Sequence, residues 1–158
     1  MRLGYRLAYR VLQVWTFLRR PDVRGTMVAV LDSADQVLLV RHTYGDRRRW
    51  ELPGGWVQRG EEPLVAATRE VSEELGISVV LDPARGGVFH GDWDYKHESL
   101  AWFVADWPGG RGTYDPVELA ELAWFPLLEP PPETGQAARR VLESVACLSS
   151  PRSSGRAR

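Results

Sequence analysis

Three glutamates in the middle of the chain, Glu70, Glu73 and Glu74, have the spacing of neighbours on one face of a helix. Like charges three and four residues apart on a helix repel one another by a few tenths of a kcal/mol per pair. A divalent cation would turn that repulsion into attraction, because hard ions such as Mg²⁺ and Mn²⁺ take oxygen ligands. Judged alone, however, the three glutamates are more typical of a solvated helix face, since glutamate is a good helix former.

The residues around these glutamates predict the helix that carries them. Pro63 suits the first turn of a helix, where the missing backbone N–H is tolerated, and Gly76 suits the left-handed position just after the last turn. We therefore expect a helix from about residue 63 to residue 75. On a helical wheel, its packing face lies roughly 130° from the glutamate face. That packing face is formed by Leu64, Ala67, Thr68, Val71 and Leu75.

The glutamates belong to a longer pattern of fixed spacing. Gly55 is followed after five residues by Glu61, and seven residues later comes the run Arg69-Glu70-Val71-Ser72-Glu73-Glu74-Leu75-Gly76-Ile77. This 23-residue segment resembles, at every fixed position, the signature of the Nudix hydrolases. The resemblance extends to Trp50–Gly55 before the segment and to Glu118–Phe125 after it, and so covers most of the chain.

The resemblance implies both a fold and an activity. The fold is an α/β fold, a Nudix-type α/β/α sandwich with a mixed β-sheet. The activity is hydrolysis of a pyrophosphate linkage with one to three divalent cations, which neutralise the diphosphate and lower the pKa of the attacking water. The implied metal ligands are Glu70, Glu73 and Glu74, helped by the Gly55 carbonyl, with Mg²⁺ as the first expectation and Mn²⁺ as the second.

Other acidic residues are candidates for supporting and catalytic roles. Arg69 and Glu61 are similar to the family's supporting pair, which orients the metal-binding carboxylates. Nudix enzymes draw the general base from different places, and Glu73 is our first candidate because it lies within the segment. Further candidates for the base or for a metal ligand, each also interpretable as a surface carboxylate, are Glu98, Glu118 and Glu121.

Residues outside the segment could hold a substrate. An arginine can clamp a phosphate through paired N–H groups, and an aromatic ring can stack on a base, although basic loops are often solvated and strand aromatics often lie in the core. Neither an NADH-type nor a coenzyme-A-type array is present. We expect a nucleoside diphosphate linked to another moiety, such as ADP-ribose, or a nucleoside triphosphate. The candidate substrate-binding residues are Arg41, Trp56, Trp93 and Tyr95.

Two other classes of protein remain open. One is a non-catalytic nucleotide-binding or sensor domain with this fold, against which the complete set of glutamates argues. The other is an RNA-end-processing or isomerase-type member of the same fold. The fixed spacing therefore favours a hydrolase, and the substrate stays open.

Composition and charge argue against several classes of protein. The 158 residues are 44% hydrophobic and 26% charged, which is close to ordinary globular proteins. The net charge is −1, but arginines concentrate in residues 1–25 and 149–158, so the rest is acidic and we expect no DNA-binding surface. Cys147 is the single cysteine and no run of 18 apolar residues occurs, so we expect a cytoplasmic protein without internal disulfides.

The remaining elements must position the glutamate helix. We divide the chain into a basic amphipathic helix in residues 1–24, a Nudix hydrolase domain in residues 25–148 and a disordered tail in residues 149–158. The first helix could dock on the domain, contact a second copy in a homodimer or lie on an anionic membrane surface. Predicted elements of the domain are a hairpin of Met27–Leu31 and Val37–Val40, strands at Val79–Leu81, Gly87–His90, Leu100–Val104 and Leu122–Phe125, and a helix from about Thr134 to Leu148.

Overall fold

The computed structural model describes residues 22–93, 96–110 and 112–149, with the backbone alone for residues 22–23, 92–93 and 96–98. Within these ranges the chain forms three strands and a helix, followed by three more strands and a second helix. They are β1 (Asp22–Leu31), β2 (Gln36–His42), β3 (Gly54–Trp56), α1 (Pro63–Leu75), β4 (Gly86–Trp93), β5 (Lys96–Asp106), β6 (Leu119–Pro126) and α2 (Gln136–Ser149).

The strands form one mixed sheet in the order β4-β5-β1-β2-β6. The central strand β1 runs parallel to β5, while β4 with β5, β1 with β2, and β2 with β6 pair antiparallel. The short strand β3 also pairs antiparallel with β1, through Thr26 opposite Gly55 and Met27 opposite Gly54. The predicted hairpin of β1 and β2 is therefore confirmed, and β3 fixes the two glycines against the middle of the sheet.

Alternation along β1 sends apolar side chains to two separate cores. Val28 and Val30 pack with the buried face of α1, whereas Ala29 and Leu31 pack with the buried face of α2. All four side chains are almost fully buried, and each buried valine or leucine contributes about 1.5–3 kcal/mol relative to an exposed one. The chain is thus an α/β/α sandwich, as predicted.

The ends of α1 lie where the sequence predicts them. Glu62 occupies the N-cap position in an extended conformation without a side-chain hydrogen bond to the helix, Pro63 follows in the first turn, and Gly76 adopts the left-handed conformation with φ of 63°. The Gly76 N–H donates to the Ser72 carbonyl oxygen and closes the last turn at 3.0 Å. Ala67, Val71 and Leu75 of the predicted packing face are buried under the sheet, which leaves the next face of the helix for the glutamates.

Two predicted elements differ from the structure. Val79–Leu81 forms no strand, although Val79 and Leu81 are buried in the core beneath α1. The segment buries one side against the core but pairs with no strand. A half-buried strand has the same alternation of apolar and polar positions, so the sequence alone cannot distinguish the two. Helix α2 begins at Gln136 rather than at about Thr134, because Thr134 lies in an isolated β-bridge with Trp50 and so takes no part in the helix.

Some predictions fall outside the described residues. They are the predicted basic helix in residues 1–24 as far as residue 21, the predicted tail in residues 149–158 from residue 150 onward, and Tyr95. Strand β1 already begins at Asp22, just before the expected domain boundary. In the part of the chain that is described, no helix is both long and apolar enough to cross a membrane.

We expect Gly54→Ala to destabilise the fold more than Gly60→Ala. Both glycines have positive φ, 152° and 81°, but an added Cβ at Gly54 would meet the Thr26 carbonyl oxygen of β1, whereas at Gly60 it would meet nothing within 4 Å. Urea unfolding should give a loss of about 2–4 kcal/mol for Gly54→Ala and about 1 kcal/mol for Gly60→Ala. Equal losses would contradict the close approach of β3 to β1.

Candidate active site

Two carboxylates from α1 meet the backbone of β3 at Gly54 and Gly55. The Gly54 N–H donates to Glu74 Oε2 at 3.0 Å. The Glu70 carboxylate lies directly against Gly55, because a Cβ there would stand only 2.5 Å from the carboxyl carbon and 2.6 Å from both oxygens. The absence of a side chain at Gly55 therefore makes room for Glu70, while a Cβ at Gly54 would meet β1 and its N–H binds Glu74.

Glu74 is the most enclosed of these carboxylates, with 3% of its surface exposed. Burial raises its pKa to about 8, and repulsion from Glu118, Glu70 and Glu73 adds to the rise, while the Gly54 N–H opposes it. A buried carboxylate with acidic neighbours is poorly stabilised in its ionised form. The surroundings of Glu74 thus favour either a proton or a cation.

Glu118 approaches the same cluster from the loop before β6. Its pKa is raised, first by burial and then by repulsion from Glu70, Asp115 and Glu73. The Thr43 N–H donates to the Glu118 carbonyl oxygen at 2.9 Å and so ties the loop to the end of β2. Glu70 has a raised pKa as well, with burial as the main cause. Four carboxylates thus influence one another around the glycine pair.

Arg69 bridges three of the acidic side chains in the segment. Its Nε donates to Glu61 Oε1 at 3.0 Å and its Nη2 to Glu61 Oε2 at 3.1 Å, which is the two-pronged contact that a guanidinium makes with a carboxylate. Its Nη1 donates to Glu70 Oε1 at 2.8 Å and to Glu73 Oε2 at 3.1 Å. Hydrogen bonds from Arg69 lower the pKa of Glu61, so Glu61 stays ionised and anchors the arginine.

The residues present fit a hard divalent cation. In the described part of the chain, no three acidic, histidine or cysteine side chains already converge as a complete ligand set. The donor chemistry nevertheless suits such an ion, because carboxylate oxygens dominate, and burial together with repulsion from neighbouring carboxylates raises the pKa of Glu74, Glu70 and Glu118. Arg69 engages one oxygen each of Glu70 and Glu73, and each carboxylate has a second oxygen.

The other candidate residues lie in different places. Arg41 on β2 pairs with Glu121 on β6 at 3.1 Å, and its guanidinium lies 4.1 Å from the centre of the Trp50 ring. The structure therefore brings Glu118, and not Glu121, to the carboxylates. Trp56 on β3 has 43% of its surface exposed, and its carbonyl oxygen accepts a hydrogen bond from Arg69 Nη2 at 3.1 Å.

Two further candidates are described by their backbone alone. Trp93 pairs with Lys96 where β4 meets β5, and Glu98 pairs with Gly91 on one side and with Val23 on the other. Their roles, like those of the other candidate residues, stay predictions.

Sequence reasoning did not identify Gly54 and His42 as parts of this region. Gly54 donates to Glu74, and its position beside Gly55 was the available signal. His42 lines a cavity beside the glycine pair together with residues distant in sequence. No local pattern could have identified it.

We expect Glu74→Gln to stabilise the metal-free protein at alkaline pH. The unfolded chain releases the Glu74 proton near its ordinary pKa of 4.5, but the folded chain retains it to about pH 8. The contribution of Glu74 to the free energy of unfolding is therefore fully present below pH 4.5. It decreases as the pH rises to about 8 and stays low above that pH. Glutamine keeps an oxygen for the Gly54 N–H without the charge.

In thermal unfolding at pH 9 with a chelator, the melting temperature of Glu74→Gln should exceed that of the wild type by at least about 2–4 °C, which at this size corresponds to about 1 kcal/mol in the free energy of unfolding. The difference should disappear at pH 4, where Glu74 is protonated in the folded and largely in the unfolded chain. A wild type that is more stable than the variant at pH 9 would contradict the view that ionised Glu74 destabilises the metal-free fold.

Comparison with known proteins agrees with this geometry. The family model described as NUDIX domain matches residues 21–145. The NAD-capped RNA hydrolase NudC of Citrobacter koseri is 31% identical over 133 residues, which are 81% of this chain and 49% of the relative. The protein of the same name from Escherichia coli O1:K1 is 30% identical with the same coverage. The chain thus spans about half the length of the curated relatives it matches.

Solved structures resemble the whole sandwich. The MutT NUDIX hydrolase from Burkholderia pseudomallei superposes with a TM-score of 0.66 at 26% identity, covering 79% of this chain and 98% of that one. A C. elegans Ap4A hydrolase binary complex gives a TM-score of 0.68 at 19% identity, covering 80% and 96%, and this likeness concerns the fold alone. With the family model matched over most of its length and its glutamate segment folded onto the sheet, the chain belongs to the Nudix hydrolase family.

Proposed function

We propose that this chain hydrolyses a pyrophosphate linkage in a nucleoside diphosphate joined to another moiety, as in ADP-ribose, or in a nucleoside triphosphate, with a divalent cation. The observation that carries the proposal is the environment of Glu74. Its carboxylate is buried, has acidic neighbours and receives a hydrogen bond from the Gly54 N–H. An enclosed cluster of this kind disfavours its own ionisation unless a cation is bound.

Mg²⁺ is the proposed cation, with Mn²⁺ as an alternative. Glu70, Glu73 and Glu74 would hold it with the Gly55 carbonyl, since hard ions prefer oxygen ligands and retain several waters. When bound, it would supply charge neutralisation at the diphosphate and a lower pKa for the attacking water. Support for this ligand set comes from the contact of Glu70 with Gly55 and from the acidic surroundings of Glu74.

The protein's own residues then orient the metal-binding carboxylates and remove the proton of the attacking water. Arg69 fixes one oxygen each of Glu70 and Glu73, while Glu61 holds the guanidinium in place. Glu73 is the first candidate for the base that accepts the proton of the attacking water, because 58% of its side chain is exposed at the edge of the cluster. Glu118 is the second candidate, because burial raises its pKa toward the pH at which the enzyme works, and a general base is most effective there.

The names of the relatives favour a linked diphosphate over a triphosphate. The two relatives described above are named NAD-capped RNA hydrolases, and an NAD cap joins two nucleotides through a diphosphate. The same names support a second candidate function, removal of a nucleotide cap from the end of an RNA. The acidic body of the chain is a weak surface for long RNA, so we rank the small-molecule substrate first.

A substrate panel tests the proposed function. The full chain with Mg²⁺ is offered ADP-ribose, NADH, a diadenosine polyphosphate, the nucleoside triphosphates and an NAD-capped oligoribonucleotide, and release of products is measured. We expect at least one linked diphosphate to turn over, and chelation to stop the reaction until Mg²⁺ or Mn²⁺ is restored. Absence of turnover with every substrate would contradict the hydrolase and favour a sensor domain.

Glutamate variants test the active site within the same panel. Glu73→Gln and Glu74→Gln should each lower kcat/KM by about 100-fold or more, since several kcal/mol of charge stabilisation are at stake. Glu143→Gln, which removes an exposed carboxylate from α2, is the matched control and should retain full activity. Retained turnover in Glu74→Gln would exclude the cluster as the active site.

Arg69→Lys tests the positioning of the carboxylates. Lysine carries a point charge on a flexible stem, and it cannot reproduce the fork that contacts Glu61 while bonding Glu70 and Glu73. We expect the Mg²⁺ concentration for half-maximal rate to rise about 10–100-fold, with a smaller change in KM for the nucleotide. Arg59→Lys, in an exposed turn of the same segment, is the control. Identical behaviour of the two variants would refute the positioning role.

A further inference from the structure

Strand β6 contains a bulge at Ala120. Arg41 of β2 pairs with Glu121, but the next residue of β2, His42, pairs with Leu119, so Ala120 is the extra residue between the two pairs. An extra residue reverses the side of the sheet to which the neighbouring side chains point, and bulges of this kind often re-aim side chains beside active sites. The chain that enters β6 is therefore oriented differently from the rest of the strand.

Leu119 shows the effect of the bulge. It is 1% exposed and belongs to the core beneath α1, and Leu122, three residues further on, packs against the same core. In an uninterrupted strand, residues three apart would face opposite sides of the sheet. The bulge thus lets Leu119 anchor the end of the preceding loop on the side of the sheet that carries α1, immediately after Glu118.

Thr43 holds the same loop from the end of β2. Its side chain is buried, and its Oγ1 donates to the Val117 carbonyl oxygen at 2.5 Å. Its backbone N–H donates to the Glu118 carbonyl oxygen at 2.9 Å. One residue therefore fixes two successive carbonyl groups, and the first of these bonds requires a hydroxyl side chain.

A tight turn at Asp115 completes the attachment of the loop. The Asp115 side chain accepts the Val117 N–H at 2.8 Å, and its carbonyl oxygen accepts the N–H groups of Glu118 at 3.1 Å and Leu119 at 2.9 Å. The peptide groups on both sides of Glu118 are thus held by hydrogen bonds. The direction of the Glu118 side chain consequently follows from the backbone of the loop.

The Glu118 carboxylate acts on the glutamates of α1 through its charge. Repulsion from Glu118 helps to raise the pKa of Glu74, and repulsion from Glu70 and Glu73 helps to raise the pKa of Glu118. A cation among these carboxylates would be attracted by all four charges, and the attraction by each falls with distance. Displacement of the loop should therefore weaken cation binding.

We propose that Thr43 is a positioning residue: through its hydroxyl bond to the Val117 carbonyl oxygen it holds Glu118 toward the glutamates of α1 and so strengthens the cation site. This inference rests on the proposed function. Thr43 itself contacts neither the cation nor the substrate. Its effect is transmitted by the backbone of two residues and ends at one carboxylate.

Binding of Mn²⁺ to the full chain, followed by the electron paramagnetic resonance signal of the free ion, tests the inference without turnover. Thr43→Val keeps the shape and the backbone N–H but lacks the hydroxyl, and it should bind Mn²⁺ about 3–10-fold more weakly than the wild type. Thr43→Ser keeps the hydroxyl and should stay within about twofold of the wild type. Glu118→Gln should weaken binding about tenfold. Adding Thr43→Val to Glu118→Gln should cause no further loss, because the two residues act through one contact.

Val145→Ala is the control for destabilisation alone. Val145 is 1% exposed in the core beneath α2, on the opposite face of the sheet, so this variant should lose stability and keep the Mn²⁺ affinity of the wild type. If Thr43→Val does not fold, a pair of variants at the exposed Asp115 replaces it. Asp115→Asn and Asp115→Ala both remove the charge, but only asparagine can still accept the Val117 N–H. Asp115→Ala should therefore bind Mn²⁺ about threefold more weakly than Asp115→Asn.

Several results would overturn the positioning role. They are wild-type Mn²⁺ affinity in Thr43→Val, equal losses in Thr43→Ser and Thr43→Val, an undiminished effect of Thr43→Val in the Glu118→Gln background, an equal loss in Val145→Ala, and equal affinities of the two Asp115 variants. Turnover in the substrate panel combined with any of these results would refute the positioning role alone. Mn²⁺ binding that depends on Thr43 and Glu118, without turnover of any substrate, would refute the hydrolase alone.

Discussion

Repulsion between carboxylates in an enclosed place is the interaction on which the rest of this site depends. Glu74 is buried among acidic neighbours, and its pKa of about 8 reflects both the loss of water and the nearby charges. The surrounding structure moderates this repulsion without removing it. The Gly54 N–H bonds Glu74, and Arg69 links Glu70 to Glu73 and Glu61. What remains is an electrostatic preference for a bound cation, and an enzyme can use such a preference to assemble its site only when the metal is present.

The sheet makes this arrangement possible through two glycines. Pairing of β3 with β1 places Gly54 and Gly55 under α1, where any side chain would collide with β1 or with Glu70. Gly54 and Gly55 also line a cavity of about 210 Å³, so one short stretch of backbone borders the carboxylates and the cavity. The three-residue strand β3 therefore both pairs with the sheet and contacts the carboxylates. A substitution there should affect the stability of the fold and the geometry of the site.

The parts of the structure that depend on local sequence were predictable. Helix α1 begins at Pro63 and ends before Gly76 as expected, because helix capping and helical periodicity operate over a few residues. The glutamate segment is likewise contained in 23 residues, so its fixed spacing identified the family and, through it, the sandwich.

Features that depend on tertiary contacts were not predictable. Val79–Leu81 has the alternation of a strand but packs beneath α1 without a strand partner. The sequence gives no reason to prefer Glu118 over Glu121 as a base or metal ligand. In the structure, the loop before β6 places Glu118 near the glutamates of α1, whereas Glu121 pairs with Arg41. The cavity bordered by Gly54 and Gly55 is lined by residues from β1, β2, β5 and α2, and nothing in their spacing along the chain indicates that they meet.

Titration of the protein with Mn²⁺, followed by the electron paramagnetic resonance signal of the free ion, tests the central claim most directly. If the carboxylates around Gly54 and Gly55 form a cation site, the wild type depletes the free-ion signal, Mg²⁺ restores it by competition, and Glu74→Gln binds Mn²⁺ at least about tenfold more weakly. Equal Mn²⁺ affinity in the wild type and in Glu74→Gln would contradict the account, as would a wild type that leaves the free-ion signal unchanged.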